Sequence, residues 1–209
     1  AQEVAAAAFS FSGQRCTAPR RLIVDRAIRG PFEEALVAAT RALRIGDPGE
    51  EATRIGPLVS REQQERIIAL LSSPSGGRVA CGGGVPTGFE RGCWLEPAIV
   101  ADPDPASAIV KEESFGPVAV LLEAGGIEEA LALANGVEHG LVASLFSNDR
   151  RHRDLFLRLM QAGMLAINQA RPAFDAAAPF GGWKRSGHGP PEHGRWDREF
   201  YSRAQAIYG

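Results

Sequence analysis

Cysteine is scarce in this chain and has no partner pattern: Cys16, Cys81 and Cys93 form an odd set with no Cys-x-x-Cys spacing. That excludes a framework of bridges and points to a reducing, cytoplasmic compartment. His139, His152, His188 and His193 stand at no metal-ligand spacing with the thiols, so no metal site is expected. A charge surplus is missing as well. With 23 basic and 25 acidic residues the net charge is -2, which leaves no positive face for a nucleic-acid backbone or an anionic membrane. Apolar runs are short and broken by charge, and none approaches the roughly 20 residues of a membrane span, so a soluble chain is expected. No basic start followed by an apolar core marks a secretory signal. The chain begins without Met, inside what reads as a helix, and is expected to be the later part of a longer polypeptide.

What is present is a chain of 209 residues, 44% hydrophobic, enough for one well-buried core and too short for two ordinary domains. Strand and helix signals alternate along it. Val4 to Phe9 reads as the end of a helix and Leu22-Ile23-Val24 as a buried strand. Gly30-Pro31 opens a helix with Phe32, Leu36, Val37 and Leu43 at helical spacing, and Gly46-Asp47-Pro48-Gly49 breaks the chain. Ser60-Arg61-Glu62-Gln63 has the form of a capping box ahead of Ile67, Ile68, Leu70 and Leu71, and Pro74-Ser75-Gly76-Gly77 is expected to end that helix. Arg78 to Cys81 reads as a strand leading to a turn at Gly82-Gly83-Gly84, where no Lys-Ser or Lys-Thr follows to suggest phosphate. Trp94 to Val100 reads as extended, with Pro97 placing it at an edge or a bulge. Val118 to Leu122 is a continuous apolar run of the parallel-sheet kind. Ile127 to Ala134 and Arg151 to Met160 are helices, the second begun by Asp149 and closed near Gly163, and Leu141 to Phe146 and Met164 to Ile167 are strands. The alternation predicts an α/β fold, a mostly parallel sheet with helices on both faces.

One thiol stands apart. In Phe9-Ser10-Phe11-Ser12-Gly13-Gln14-Arg15-Cys16-Thr17-Ala18-Pro19-Arg20-Arg21, Cys16 lies in a short polar turn between helix and strand. Arg15, Arg20 and Arg21 add positive charge, which favours the nucleophilic thiolate. A free Cys is more often a small buried hydrophobe, and the spacing alone leaves both readings open. Further on, Lys111-Glu112-Glu113-Ser114-Phe115-Gly116-Pro117-Val118 sets a carboxylate and an aromatic ring before the apolar strand, or is simply a solvated charge cluster. Pro179-Phe180-Gly181-Gly182-Trp183-Lys184-Arg185-Ser186-Gly187-His188-Gly189 is a Gly-rich series of turns.

Together, in this order, the three segments resemble the signatures of the aldehyde dehydrogenase superfamily, over essentially all 209 residues. The resemblance implies that Cys16 is the catalytic nucleophile. It implies that Glu113 accepts from the ribose hydroxyls of NAD or NADP and that Phe115 packs beside the nicotinamide; Ser114 stands where an aliphatic residue is common. Asn168, after the last strand, matches the loop that contacts the substrate tail, and Arg171 in that loop would pair with an acidic tail. The Gly-rich segment would line the substrate entrance. The reaction implied is NAD(P)-dependent oxidation of an aldehyde to a carboxylic acid, and Gln14-Arg15-Cys16-Thr17 together with Arg171 favour a semialdehyde carrying a carboxylate. Residues 1–189 are expected to be the catalytic domain and 190–209 an arm, whose Phe200 to Tyr208 alternate like a strand and would add to a neighbouring subunit in a homo-oligomer. Pro190-Pro191-Glu192-His193-Gly194 departs from the family by an apparent extra residue. The family's general base, second oxyanion donor and nucleotide-binding half lie upstream of the Cys and match nothing in these 209 residues. The chain is therefore expected to be a catalytic fragment, poorly active alone and partnered by that half. A cysteine hydrolase and a non-catalytic assembly module are the alternatives.

Overall fold

A computed structural model describes residues 1–72 and 77–209. The contacts divide the chain into two compact units, Ala1–Gly136 and Val137–Gly209, where one core was expected.

In the first unit the apolar run at 118–122 decides the architecture. Strands β1 (Arg21–Asp25), β2 (Arg78–Cys81), β3 (Ala98–Ala101) and β4 (Val118–Ala124) form one sheet in the order β1-β4-β3-β2, with β4 parallel to both of its neighbours and β2 antiparallel at the edge. A strand buried on both faces needs apolar residues at every position, and Val118 to Leu122 are all buried. Alternate side chains of β4 go to opposite faces. Ala119 and Leu121 join Ile99, Leu22 and Val24 against Ala5, Ala8 and Phe9 of helix α1 (Gln2–Phe9) and Leu36 of α2 (Arg29–Arg41). Val118, Val120 and Leu122 join Ala98 and Val100 against Ile67 of α3 (Arg61–Ser72) and Ile109 and Val110 of α4 (Ala108–Lys111). Helices therefore cover both faces, and α5 (Ile127–Asn135) follows β4.

Pro97 is not at an edge. It precedes β3, which lies between β4 and β2, so its missing N–H falls outside the ladder, and the register shift sits in β2 between Val79 and Cys81. The capping box is half formed. Ser60 Oγ accepts from the Gln63 N–H at 3.1 Å, but the Gln63 side chain turns to another loop. The helix end expected at 74–77 falls mostly outside the described residues.

In the second unit β6 (Val142–Leu145) runs parallel to β7 (Met164–Ile167), joined by α6 (Arg150–Leu159), and β5 (His139–Gly140) pairs antiparallel with β8 (Trp183–Lys184). Asp149 caps α6 by accepting from the His152 N–H at 3.0 Å. Gly163 is not that helix's cap, which is Met160. A Cβ on Gly163 would lie 2.0 Å from the Gly181 carbonyl oxygen, so glycine is needed there for backbone approach. Among the described residues of this chain the tail pairs with no strand. After the short helix α7 (Asp197–Phe200) no regular element follows, and Tyr201, Ile207 and Tyr208 are exposed. A strand requires a hydrogen-bonded neighbour, and the tail has none among the described residues.

A small ion network ties α2 to the sheet. Glu33 receives Arg29 and Arg78, and Arg29 Nη2 donates to Asp102 at 2.8 Å. Burial alone would raise Glu33, but hydrogen bonds and charge from Arg29 and Arg78 outweigh it and hold the carboxyl below its usual range.

Two outcomes follow from this packing. Replacing Leu36, fully buried, by Ala lowers stability by about 2–5 kcal/mol in denaturant titration, and a loss under about 1 kcal/mol contradicts the packing described. Because Glu33 is depressed on folding, its contribution is present above the carboxylate's unfolded value near about 4.3 and fades as pH falls through the lower folded value. The stability difference between wild type and Glu33→Gln is thus largest at neutral pH and shrinks in acid, whereas a difference constant with pH would remove the network's role.

Candidate active site

The turn carrying Cys16 is built from backbone that few residues adopt. Phe11 and Ser12 have φ of 54° and 57°, and Gly13 has 67°. The sequence stabilises this turn by pinning it to the loop at 55–59. Ser12 Oγ donates to the Gly56 carbonyl at 2.9 Å and accepts from the Gly56 N–H at 3.0 Å. Gln14 Oε1 accepts from the Val59 N–H at 2.8 Å, while its Nε2 donates to the Pro57 carbonyl at 3.3 Å. The closed turn from Arg15 to Ala18 then presents Cys16, which is exposed. Cys93 is partly buried, and Cys81 is buried, with its thiol pushed up by that burial. Among the three thiols Cys16 alone has open access to solvent.

Close to this turn runs the segment from Glu113 to Pro117. An atom added as Cβ on Gly13 would fall 2.2 Å from the Gly116 carbonyl oxygen, so the two backbones touch where only glycine leaves room. A Cβ on Gly116 would in turn fall 2.1 Å from Ile67 Cδ1, so α3 closes the other side. The same helix fixes the loop through its carbonyls. Gln63 Nε2 donates to Ser114 and Phe115 at 2.8 Å each, and Arg66 donates to Ser114. Phe115 is thereby held at φ 48°, with the residue 42% exposed rather than in the core, and Glu113 is exposed beside it. Ser114 is buried with its Oγ unpartnered, and an orphaned buried hydroxyl costs on the order of 1–3 kcal/mol.

The arginines do not all serve the thiol. Arg20 donates to the carbonyls of Ile109 and Val110 at 2.7 and 2.9 Å, at the end of α4, and Arg21 to those of Leu133 and Ala134 at 3.0 and 2.8 Å, at the end of α5. Both guanidinium groups satisfy helix C-terminal carbonyls, which corrects the expectation that they activate Cys16. Burial, then Arg21, lowers Arg20 to about 10, with Glu113 and Glu112 acting the other way. Arg20, just before β1, thus interacts electrostatically with Glu113. Arg15 instead lies over the Phe11 ring, 4.8 Å from its centroid.

The structure therefore brings together the segments of Cys16, Glu113 and Phe115. Asn168 and Arg171 belong to the second unit. Asn168 has φ 55°, and its Oδ1 accepts from the Ser147 N–H at 2.9 Å, which fixes the loop after β7. Arg171 is exposed and makes no hydrogen bond to the described residues. Gln63, Arg66 and Gln14, which hold the two loops, carry no local sequence signal, since Gln14 lies in a turn and Gln63 and Arg66 in the polar run from Arg61 to Arg66. Among the described residues no cluster of His, Cys, Asp or Glu is arranged to hold a metal, and no helix is long and apolar enough to cross a membrane.

An exposed carboxylate beside a half-exposed ring suits a ligand that offers a diol next to a planar heterocycle, because the carboxylate accepts from two hydroxyls while the ring packs the base. The family model described as aldehyde dehydrogenase family matches residues 1–207. The chain is 37% identical over 201 residues to a chloroplastic betaine aldehyde dehydrogenase of Beta vulgaris, covering 95% of this chain and 40% of that one. It is 39% identical over 204 residues to a betaine aldehyde dehydrogenase of Brucella melitensis, covering 96% and 42%. In three dimensions it is similar to an aldehyde dehydrogenase of Bartonella henselae (TM-score 0.87, 34% identity, 93% of this chain and 41% of that one). It is also similar to aldehyde dehydrogenase C of Pseudomonas syringae, solved with NAD+ and octanal (TM-score 0.88, 33% identity, 96% and 41%). The chain spans about two fifths of the length of these relatives and belongs to the aldehyde dehydrogenase family.

Proposed function

We propose that this chain supplies the nucleophile and part of the cofactor cradle for oxidation of an aldehyde to a carboxylic acid. The observation that carries the reading is the meeting of the Cys16 turn with the Glu113–Pro117 loop at Gly13 and Gly116. Cys16 thiolate adds to the aldehyde carbon, and the carbonyl oxygen becomes an alkoxide that a backbone N–H of the turn stabilises. NAD or NADP, when bound there, would supply the acceptor for the hydride that leaves that carbon. The carbon is left as a thioester on Cys16, which water hydrolyses to the acid, returning the thiol. Glu113 would hold the ribose hydroxyls and Phe115 would pack against the nicotinamide, a role its outward ring supports. The general base for hydrolysis belongs to a nucleotide-binding half of the same enzyme, so the 209 residues turn over poorly alone. The lengths of the relatives support that division.

Residues 1–189 act as the catalytic domain, with Asn168 and Arg171 at the substrate tail, and 190–209 as an oligomerisation arm. The exposed Tyr201, Ile207 and Tyr208 support an arm completed by another subunit in a homo-oligomer. Three free thiols support a reducing, cytoplasmic setting.

Acyl transfer tests the nucleophile without the cofactor. With p-nitrophenyl acetate the chain releases a burst of p-nitrophenolate stoichiometric with protein and carries the acetyl group on Cys16. Cys16→Ser loses the burst, and Cys81 stays unmodified until the protein unfolds. An acetyl group spread evenly over Cys16 and Cys93, or a burst surviving in Cys16→Ser, would refute the assignment and favour an assembly module.

A further inference from the structure

The turn that carries Cys16 is entered through three consecutive residues in the left-handed region, Phe11, Ser12 and Gly13, with φ of 54°, 57° and 67°. Glycine adopts this backbone freely, but phenylalanine and serine keep it only where the surrounding structure holds them. Ser12 supplies that hold. It is 3% exposed, and its one hydroxyl both donates to the Gly56 carbonyl at 2.9 Å and accepts from the Gly56 N–H at 3.0 Å. Two bonds to a single residue fix rotation as well as distance, and burial spares them competition from water. Gly56 is itself a fixed point. Ile55 before it is buried, with its N–H on the Arg44 carbonyl at 3.0 Å and its carbonyl accepting from the Gly46 N–H at 3.1 Å. Leu58 after it is buried too, with its N–H on the Cys93 carbonyl at 2.8 Å. Beyond Gly13 the Ala18 N–H closes onto the Arg15 carbonyl at 3.2 Å. Cys16 is thereby a central residue of a closed turn, and its own N–H is bonded to nothing among the described residues.

We propose that Ser12 is a positioning residue for Cys16: its paired bonds to Gly56 set the direction of the Cys16 backbone N–H, the donor that meets the oxyanion when the thiolate adds to a carbonyl. The inference rests on the reading of Cys16 as nucleophile and assigns the orientation of its turn to one buried side chain. Gln14 reaches the same loop at Val59 and Pro57, but it does so from an exposed setting where water competes. A hydrogen bond weakens steeply as its angle closes toward about 120°. A turn tilted by loss of the Ser12 pair therefore keeps its thiol accessible and loses the oxyanion bond. Alanine at 12 removes both bonds without adding bulk. Glycine removes both and also takes the left-handed backbone without strain, which separates the hydroxyl from the backbone it holds.

Two rates at Cys16, each read on the Cys16 peptide by mass spectrometry, test this. Acylation by p-nitrophenyl acetate passes through an oxyanion, and alkylation by iodoacetamide does not. In Ser12→Ala acylation falls by about tenfold, part of the roughly hundredfold that outright loss of an oxyanion donor costs, while alkylation stays within about twofold of wild type. Ser12→Gly shows the same drop in the ratio of the two rates even with its stability to denaturant equal to wild type, and it carries the test where Ser12→Ala does not fold. A wild-type ratio in Ser12→Gly overturns the role of the hydroxyl, because the left-handed backbone alone then sets the turn. An equal fall of both rates overturns it as well, because that marks a disordered turn rather than a redirected N–H. Wild-type Cys16 that alkylates but takes no acyl group removes the nucleophile reading, and this inference with it.

Discussion

The contact between Gly13 and Gly116 is the constraint on which the first unit's chemistry depends. A turn that presents a thiol and a loop that presents a carboxylate and a ring approach to within a distance that excludes even a methyl group. The side chains near it hold those backbones in place. Ser12 and Gln14 fasten the turn to the 55–59 loop, and Gln63 and Arg66 fasten the other loop to α3. Arg20 ties the start of β1 to the end of α4, just before Glu113. Reactive groups set on loops need this kind of bracing, because loops lack the repeated hydrogen bonds of helix and sheet.

The sheet beneath provides the rigid reference. β4 starts directly after Pro117, and β1 starts at Arg21, shortly after the turn that presents Cys16. The two strands pair in register from Arg21 with Val120 to Asp25 with Ala124. The loops that enter them are therefore fixed at one end of a parallel pair whose side chains pack into cores on both faces. Charge is used sparingly inside this frame. Arg20 and Arg21 are buried against helix ends rather than against the thiol.

Much of this is legible from the residues. The continuous apolar run at 118–122 fits only a strand covered on both sides, and the Asp149 cap is local chemistry that tertiary contacts do not override. What is not legible depends on partners far along the chain. Pro97 reads as an edge residue because nothing local shows that the ladder starts one residue later, and Gly163 reads as a helix cap although its requirement comes from Gly181. Gln63 fits a capping box by spacing, yet its side chain is drawn to the carbonyls at 114 and 115. The division at Gly136 leaves Cys16 and Glu113 in one unit and Asn168 and Arg171 in the other, a separation that motif order along the chain does not reveal.

The most direct test of the central contact is hydrogen exchange of the backbone from 109 to 118 in Gly13→Ala. A methyl group there must push Gly116 away, so amides of the loop and of the start of β4, including the Val118 N–H that bonds the Gly116 carbonyl at 2.7 Å, exchange faster than in wild type while the α5 amides do not change. Exchange at 116–118 identical to wild type in a folded Gly13→Ala protein would contradict the account, since the two loops would then not depend on each other.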